Sequence, residues 1–173
     1  TLKLVYSVKG KMVRIDTYSQ SNELRGSRII DTESGVVLAL MPSRLLYYQI
    51  PLKNEGDVEQ CVVKKTSSQH VFLEHDAATF ETHNQNLDRK SVITLMIGNF
   101  DFYIPLVKAL GRDDSFSCMF TGNHGIESSF PGDVSEYRAD GTLILRRTVI
   151  SVKPQAIDDE IFDIPADYSL MER

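Results

Sequence analysis

The side chains best able to bind a metal ion lie close together in the run from His70 to Asp76. On a strand, His70 and Glu74 would share one face, and His75 would point away from it. A metal site would also need His83 or His124 to lie beside this run in the folded chain. The spacings match none of the usual zinc motifs, so no metal ligand is assigned. A metal-dependent hydrolase built on this run stays open as a second alternative.

Signatures of covalent catalysis are missing from the sequence. No serine stands in a G-x-S-x-G elbow, and Cys118 has no recognisable cysteine-protease context. The acidic pairs at 113–114 and 158–159 are adjacent and hydrophilic, whereas a general acid needs an apolar pocket. We therefore expect a protein that is not an enzyme and that needs no cofactor.

Composition and charge exclude several classes of protein. The chain has 173 residues, of which 42% are apolar, enough to build a core without covalent staples. With 19 basic and 24 acidic residues the net charge is −5, and the longest basic runs have two residues. A nucleic-acid binder needs a clustered basic face, so no nucleic-acid partner is expected. The longest apolar runs, at 36–41 and 45–48, have the length of strands and not of membrane spans.

Cysteine usage and the start of the chain bear on the cellular compartment. Cys61 and Cys118 are too far apart for a CxxC pair, and they could form one disulfide or remain two buried thiols. Thr1 already lies inside a strand-like pattern with no Met before it. We therefore expect an exported protein whose signal peptide has been removed or trimmed.

The first half of the chain favours β-structure. Residues 1–8 alternate between apolar and polar side chains, as in a strand with one buried face. Turn signals then recur about every 8 to 12 residues, which is typical of a meander. The predicted strands are 1–8, 11–18, 24–32, 36–41, 44–50, 58–66 and 70–74.

The second half is more mixed. Residues 76–88 are polar and favour a short helix or a loop, and 91–97 could be a strand or the first turns of a helix. A helix is predicted over 99–110, with Gly111 as its stop, although Pro105 must then lie in the first turn. Residues 113–133 are expected to form an irregular surface segment. Asp140-Gly141 predicts a hairpin between strands 134–138 and 142–152.

Three predicted strands are apolar on both faces along part of their length. Residues 36–41 do not alternate, and neither do residues 45–48, 143–145 and 149–150. Both faces of such strands should be covered along part of their length. The cover could be an ordinary core closed by loops and the helix, an apolar ligand in a concave sheet, or a dimer partner.

Several strings of residues resemble the outer-membrane lipoprotein carrier superfamily, with its LolA/LolB-like fold, and within it a family of uncharacterised exported bacterial proteins. They include the meander residues 10–16 and 28–31, the string Tyr47 to Pro51, and the closing segment Phe162 to Tyr168. The resemblance covers roughly residues 1–52 and 130–170.

This resemblance implies an α+β protein: one strongly curved antiparallel β-sheet, an unclosed half-barrel, with helices covering its concave face. It also implies a single domain over residues 1–173 and a place in the bacterial periplasm or cell envelope. Proteins of this fold enclose an apolar space that can hold acyl chains, each methylene contributing about 0.8 kcal/mol.

The expected function is therefore non-catalytic binding or carriage of a lipid, an acyl chain or a lipidated protein, with transient contacts to a membrane or an envelope protein. The first alternative is a protein-binding or sensor module whose core is filled by its own side chains. The oligomeric state is left open. The candidate cavity residues are Leu38, Leu40, Tyr48, Phe102, Leu106 and Ile144.

Overall fold

The protein is built from two antiparallel sheets and very little helix. A computed structural model describes residues 1–51, 61–66, 70–110, 117–120 and 126–171. Strands account for 52% of the described residues and helical segments for 12%. The predicted α+β class is therefore wrong, and the protein is mostly β.

The described strands follow one another along the chain with short connections. They are β1 (Lys3–Lys9), β2 (Met12–Tyr18), β3 (Leu24–Asp31), β4 (Val37–Met41), β5 (Leu46–Ile50), β6 (Cys61–Lys65), β7 (His70–Phe72), β8 (His75–Asn84), β9 (Arg89–Ile97), β10 (Ser129–Arg138), β11 (Leu143–Thr148) and β12 (Ser169–Leu170). The strands predicted within residues 1–50 agree with these bounds to within a few residues. Residues 91–97, for which a strand or the start of a helix was predicted, belong to strand β9.

The described residues include one α-helix, α1 (Tyr103–Leu110), and three short 3-10 turns. Pro105 is the third residue of α1, where its missing N–H would have no acceptor inside the helix. The helix therefore begins later than the predicted 99–110. None of the described helices has the length and hydropathy needed to cross a membrane.

Contacts divide the chain into two compact units. The first comprises Thr1–Asn54, Lys108–Gly111 and Gln155–Arg173, and the second comprises Glu55–Val107 and Arg112–Pro154. Each unit contains one of the two sheets. The expectation of a single domain over residues 1–173 stays a prediction.

The sheet of the first unit has the order β1-β2-β3-β4-β5-β12, in which only β12 runs parallel to its neighbour. The C-terminal segment returns across one face of this sheet. Its 3-10 turn, Asp159–Phe162, is capped by the Asp158 side chain, and Phe162 packs in one buried cluster with Ile29 and Leu40. The chain thereby covers this face with its own apolar side chains.

Strand β4 is buried on both of its faces. Leu40 packs in the Phe162 cluster, and Val37 and Ala39, which point the other way, are also buried. The lack of alternation over residues 36–41 thus has the structural consequence expected from the sequence.

The sheet of the second unit has the order β11-β10-β9-β8-β6, and the short β7 also pairs with β8. Strand β8 covers most of the segment 76–88, for which a helix or loop was predicted. Its face that bears Phe80 continues into Thr82 and Asn84, which are buried although polar. Asn84 Oδ1 accepts a hydrogen bond from the Leu87 N–H at 3.1 Å, whereas the buried Thr82 hydroxyl has no partner among the described residues. A hydrophobicity pattern cannot predict the burial of such polar side chains.

An aromatic cluster forms much of the second unit's core. The Tyr103 ring lies 4.8 Å from the Phe130 ring and 5.1 Å from the Phe120 ring, measured between centroids. Met119 and Phe120 are buried, and strand β10 begins at Ser129. Where it is described, the segment 113–133 is therefore not the irregular surface expected.

The predicted half-barrel with helices over its concave face is wrong. The antiparallel sheets are indeed unclosed, but there are two of them, and the described part of the chain has a single eight-residue α-helix. Packing by the chain's own C-terminal segment replaces helical cover on the first sheet. The question whether Cys61 and Cys118 form a disulfide or remain thiols, which the sequence left open, falls outside the described side chains.

Candidate functional site

Three of the candidate cavity residues lie in the first unit. Leu38 and Leu40 point to the same face of β4 and join the cluster around Phe162, where Leu40 is 3% exposed. Tyr48 lies opposite Ala39 in the β4–β5 register, so its side chain is on the other face of the sheet. The structure brings Leu38 and Leu40 together and separates Tyr48 from them.

The other three candidates lie in the second unit. Phe102 is half-buried in the aromatic cluster, with its ring centroid 5.7 Å from that of Phe130, and Leu106 is fully buried in α1. Ile144 is exposed on β11, so the expectation that both faces of this strand are covered is wrong. The binding of an acyl chain by any of the six residues stays a prediction.

The first unit has a cleft of about 430 Å³ between its sheet and the C-terminal segment. The cleft is lined by Ser7, Arg14, Asp16, Gln155, Ala156, Ile157, Asp158 and Ile161. This lining mixes charged, polar and aliphatic groups, so the cleft is unlike the apolar space that an acyl chain requires.

Arg14 at this cleft holds three parts of the first unit together. Its Nε donates to Asp16 Oδ1 at 2.8 Å, its Nη1 to the carbonyl oxygen of Ile161 at 2.7 Å, and its Nη2 to Ser27 Oγ at 3.3 Å. The guanidinium thus joins two strands to the C-terminal segment. Its geometry is that of a structural clamp.

Tyr168 packs on the same face of the first sheet. Burial raises the pKa of its phenol above the ordinary value of 10.0, and the negative charge of Asp167 adds to the rise. The phenol therefore stays protonated at neutral pH and offers no base for catalysis.

The run from His70 to Asp76 forms a tight hairpin, in which His70–Phe72 of the predicted strand 70–74 form β7 and the last two residues form the turn. Phe72 pairs with His75, and the two residues between them, Leu73 and Glu74, both have positive φ. The ring of His75 lies 5.2 Å from that of Phe100. Nowhere in the described residues do three His, Cys, Asp or Glu side chains come together as a metal site would require.

Strand β11 stands at one edge of the second sheet. The Val149 N–H donates to the Gly132 carbonyl of β10 at 2.7 Å, and Thr148 lies opposite Asp133 in the register. By the alternation of an antiparallel ladder, the N–H groups of Thr148 and Arg146 point away from β10. No strand in the described part of the chain pairs with this outer edge.

Apolar and basic side chains are exposed along this edge. Leu143 is 52% exposed, and Ile150, in the extended segment that follows β11, is 77% exposed. The Arg146 side chain is 66% exposed and approaches Asp133 only to 3.6 Å. Thr148 donates its hydroxyl hydrogen bond to the same Asp133 carboxylate.

Sequence reasoning missed this edge because its residues resemble those of a buried strand. Residues 143–145 are apolar on both faces, as residues 36–41 are, yet Val37, Ala39 and Leu40 are buried and Leu143 and Ile144 are not. The position of a strand within its sheet is decided by pairing with distant residues. The one local signal was the Arg146-Arg147 pair, because charged residues are common on edge strands.

Comparison with models of protein families, with curated proteins and with solved structures found no match to this chain.

Proposed function

We propose that this protein is a non-catalytic binding module that takes up an extended segment of a partner polypeptide along β11. The partner segment would add a strand to the second sheet and hydrogen-bond to the outward N–H and C=O groups of Arg146 and Thr148. Strand addition of this kind is a common mode of peptide recognition.

The observation that carries the proposal is the exposed apolar edge. A strand with outward-pointing backbone groups and exposed aliphatic side chains is a template for further pairing. Leu143, Ile144 and Ile150 are all exposed along this edge and the segment that follows it. A partner strand would remove these side chains from water and complete the hydrogen bonding of the edge.

The packing of the first unit supports the same class of function. Leu38 and Leu40, two of the residues expected to line an acyl cavity, are packed against the chain's own Phe162. This arrangement favours the protein-binding alternative, in which the core is self-filled. Carriage of a lipid or a lipidated protein, and a place in the periplasm or cell envelope, stay predictions of the resemblance.

The experiment compares Thr148→Pro with the control Thr148→Val. Proline removes the outward N–H at an edge position, where no hydrogen bond to β10 is lost, whereas valine keeps the N–H and the β-propensity. Both substitutions remove the hydroxyl that binds Asp133, so the pair isolates the backbone group. Circular dichroism and thermal unfolding of both variants check that they fold.

Decapeptides selected from a random displayed library on the immobilised protein serve as the probe. We expect the selected peptide to slow hydrogen exchange at Arg146 and Thr148. Thr148→Pro should weaken binding about tenfold, and Thr148→Val should leave it nearly unchanged. The proposal would be overturned if the peptide slowed hydrogen exchange only in another region, or if Thr148→Pro and Thr148→Val bound it with equal affinity. A selection that enriches no peptide would also overturn it.

A further inference from the structure

We infer that the segment taken up by β11 is acidic and aliphatic, and that it belongs to another protein and not to a second copy of this chain. This inference rests on the proposed function of β11 and adds the chemistry of its occupant. Its basis is the charge pattern of the edge.

The region around β11 is a basic stretch in an acidic protein. Residues 142–154 include Arg146, Arg147 and Lys153 and contain no Asp or Glu, although the whole chain has a net charge of −5. The Arg146 side chain is 66% exposed on β11, and its Nε forms a 3.6 Å ion pair with Asp133 Oδ1, which leaves most of the guanidinium accessible to a new strand. An acidic residue placed opposite it would form a favourable cross-strand pair.

The same face of the edge also offers an aliphatic contact. Leu143 lies opposite Tyr137 and Arg146 opposite Ser135, and the irregularity between Glu136 and Tyr137 places them at successive positions on one face. A partner strand that satisfies both would carry an acidic and an aliphatic residue at neighbouring positions on its own corresponding face.

A second copy of β11 would be a poor occupant. In an antiparallel pairing of two β11 strands centred on Arg146, whose backbone groups point outward, the Arg146 side chains of the two copies lie directly opposite each other. Like charges at such positions are destabilising. Charge complementarity therefore favours an acidic partner over self-association.

Three synthetic decapeptides test the inference. In the first, glutamate and valine alternate on one face and threonine fills the other. The second replaces glutamate by lysine and the third replaces it by glutamine. Their affinities are measured by fluorescence anisotropy for the wild type, for Arg146→Glu, and for Arg28→Glu, which makes the same charge change at an exposed position of β3.

We expect the wild type to bind the glutamate peptide about three- to tenfold more tightly than the lysine peptide, with a smaller preference at high salt. Arg146→Glu should reverse this preference, and Arg28→Glu should keep it. Equal binding of the three peptides would overturn the acidic partner while leaving strand addition intact. If none of the three peptides binds and the library selection also enriches no peptide, the proposed function itself would be overturned.

Sedimentation velocity tests the remaining occupant. We expect no dimer that depends on the Thr148 N–H. A dimer that forms in the wild type and in Thr148→Val but is lost in Thr148→Pro would identify a second copy as the occupant and overturn the inference.

Discussion

The ring of Phe72 on β7 lies directly against the backbone of Gly132 on β10. A Cβ atom at position 132 would come within 2.9 Å of two Phe72 ring carbons and 3.0 Å of Met96 Cγ. Gly132 interrupts the β9–β10 register, and its carbonyl accepts the hydrogen bond from Val149 that follows β11. This glycine therefore connects the packing of the hairpin β7–β8 with the position of the candidate binding edge.

Gly132→Ala is expected to lower the free energy of unfolding by about 1–3 kcal/mol, because the added methyl group overpacks a core contact. Urea denaturation provides the measurement. Gly26→Ala is the matched control: its Cβ would meet its nearest atom, Leu40 O, at 3.5 Å, so it should be nearly neutral. If the two variants have equal stability, the Phe72 contact does not constrain this position.

The hairpin turn at Leu73-Glu74 is built from residues that suit it poorly. Their φ values are +47° and +66°, a conformation that costs L-residues about 1–2 kcal/mol each and that Asn-Gly adopts readily. Replacing both residues by Asn-Gly should raise the free energy of unfolding by about 1–2 kcal/mol, as read from denaturant melts. A fall in stability would show that the packing of the half-exposed Leu73 side chain contributes more free energy than the positive φ of its backbone costs.

Substitutions of Leu40 distinguish a core filled by the chain's own side chains from a cavity that binds an acyl chain. Leu40→Ala should cost about 2–4 kcal/mol because it leaves a void beside Ile29 and Phe162, and Leu40→Glu should unfold the first unit. Val36→Ala, at an exposed position just before β4, is the control and should change little. A folded Leu40→Glu variant that has lost fatty-acid binding present in the wild type would contradict this and revive the carrier interpretation.

Asp31 should make the stability depend on acid. Its pKa lies below the ordinary 3.8, chiefly because the Ser34 hydroxyl donates to the carboxylate, with the Glu33 N–H as the next cause. Because the folded pKa is depressed, the stabilisation is complete above the ordinary pKa and is lost as the pH falls through the lowered one.

Urea melts at pH 7 and at several values below pH 3.8 test this dependence. The advantage of the wild type over Asp31→Asn should shrink as the pH falls. Ser34→Ala removes the largest cause of the shift and should show a weaker dependence on acid than the wild type. An advantage that does not change over this range would exclude linkage at Asp31.

Local chemistry in the sequence determined the meander of the first sheet. Period-two alternation, the Pro42 interruption and the turn residues around Gly10 and Gly35 predicted β1 to β5 closely, because each of these signals acts over a few neighbouring residues. The helix at α1 was predicted for the same reason, and Pro105 was correctly required to lie in its first turn.

Tertiary structure decided the features that depend on distant partners. Strand β8 buries Thr82 and Asn84, which no hydrophobic pattern could place in a core, and the turn at Leu73-Glu74 carries none of the usual turn residues. The candidate edge shows the limit most clearly. Residues 36–41 and 143–145 look alike in sequence, but one run lies inside its sheet and the other at the edge, because strand order is set by long-range pairing.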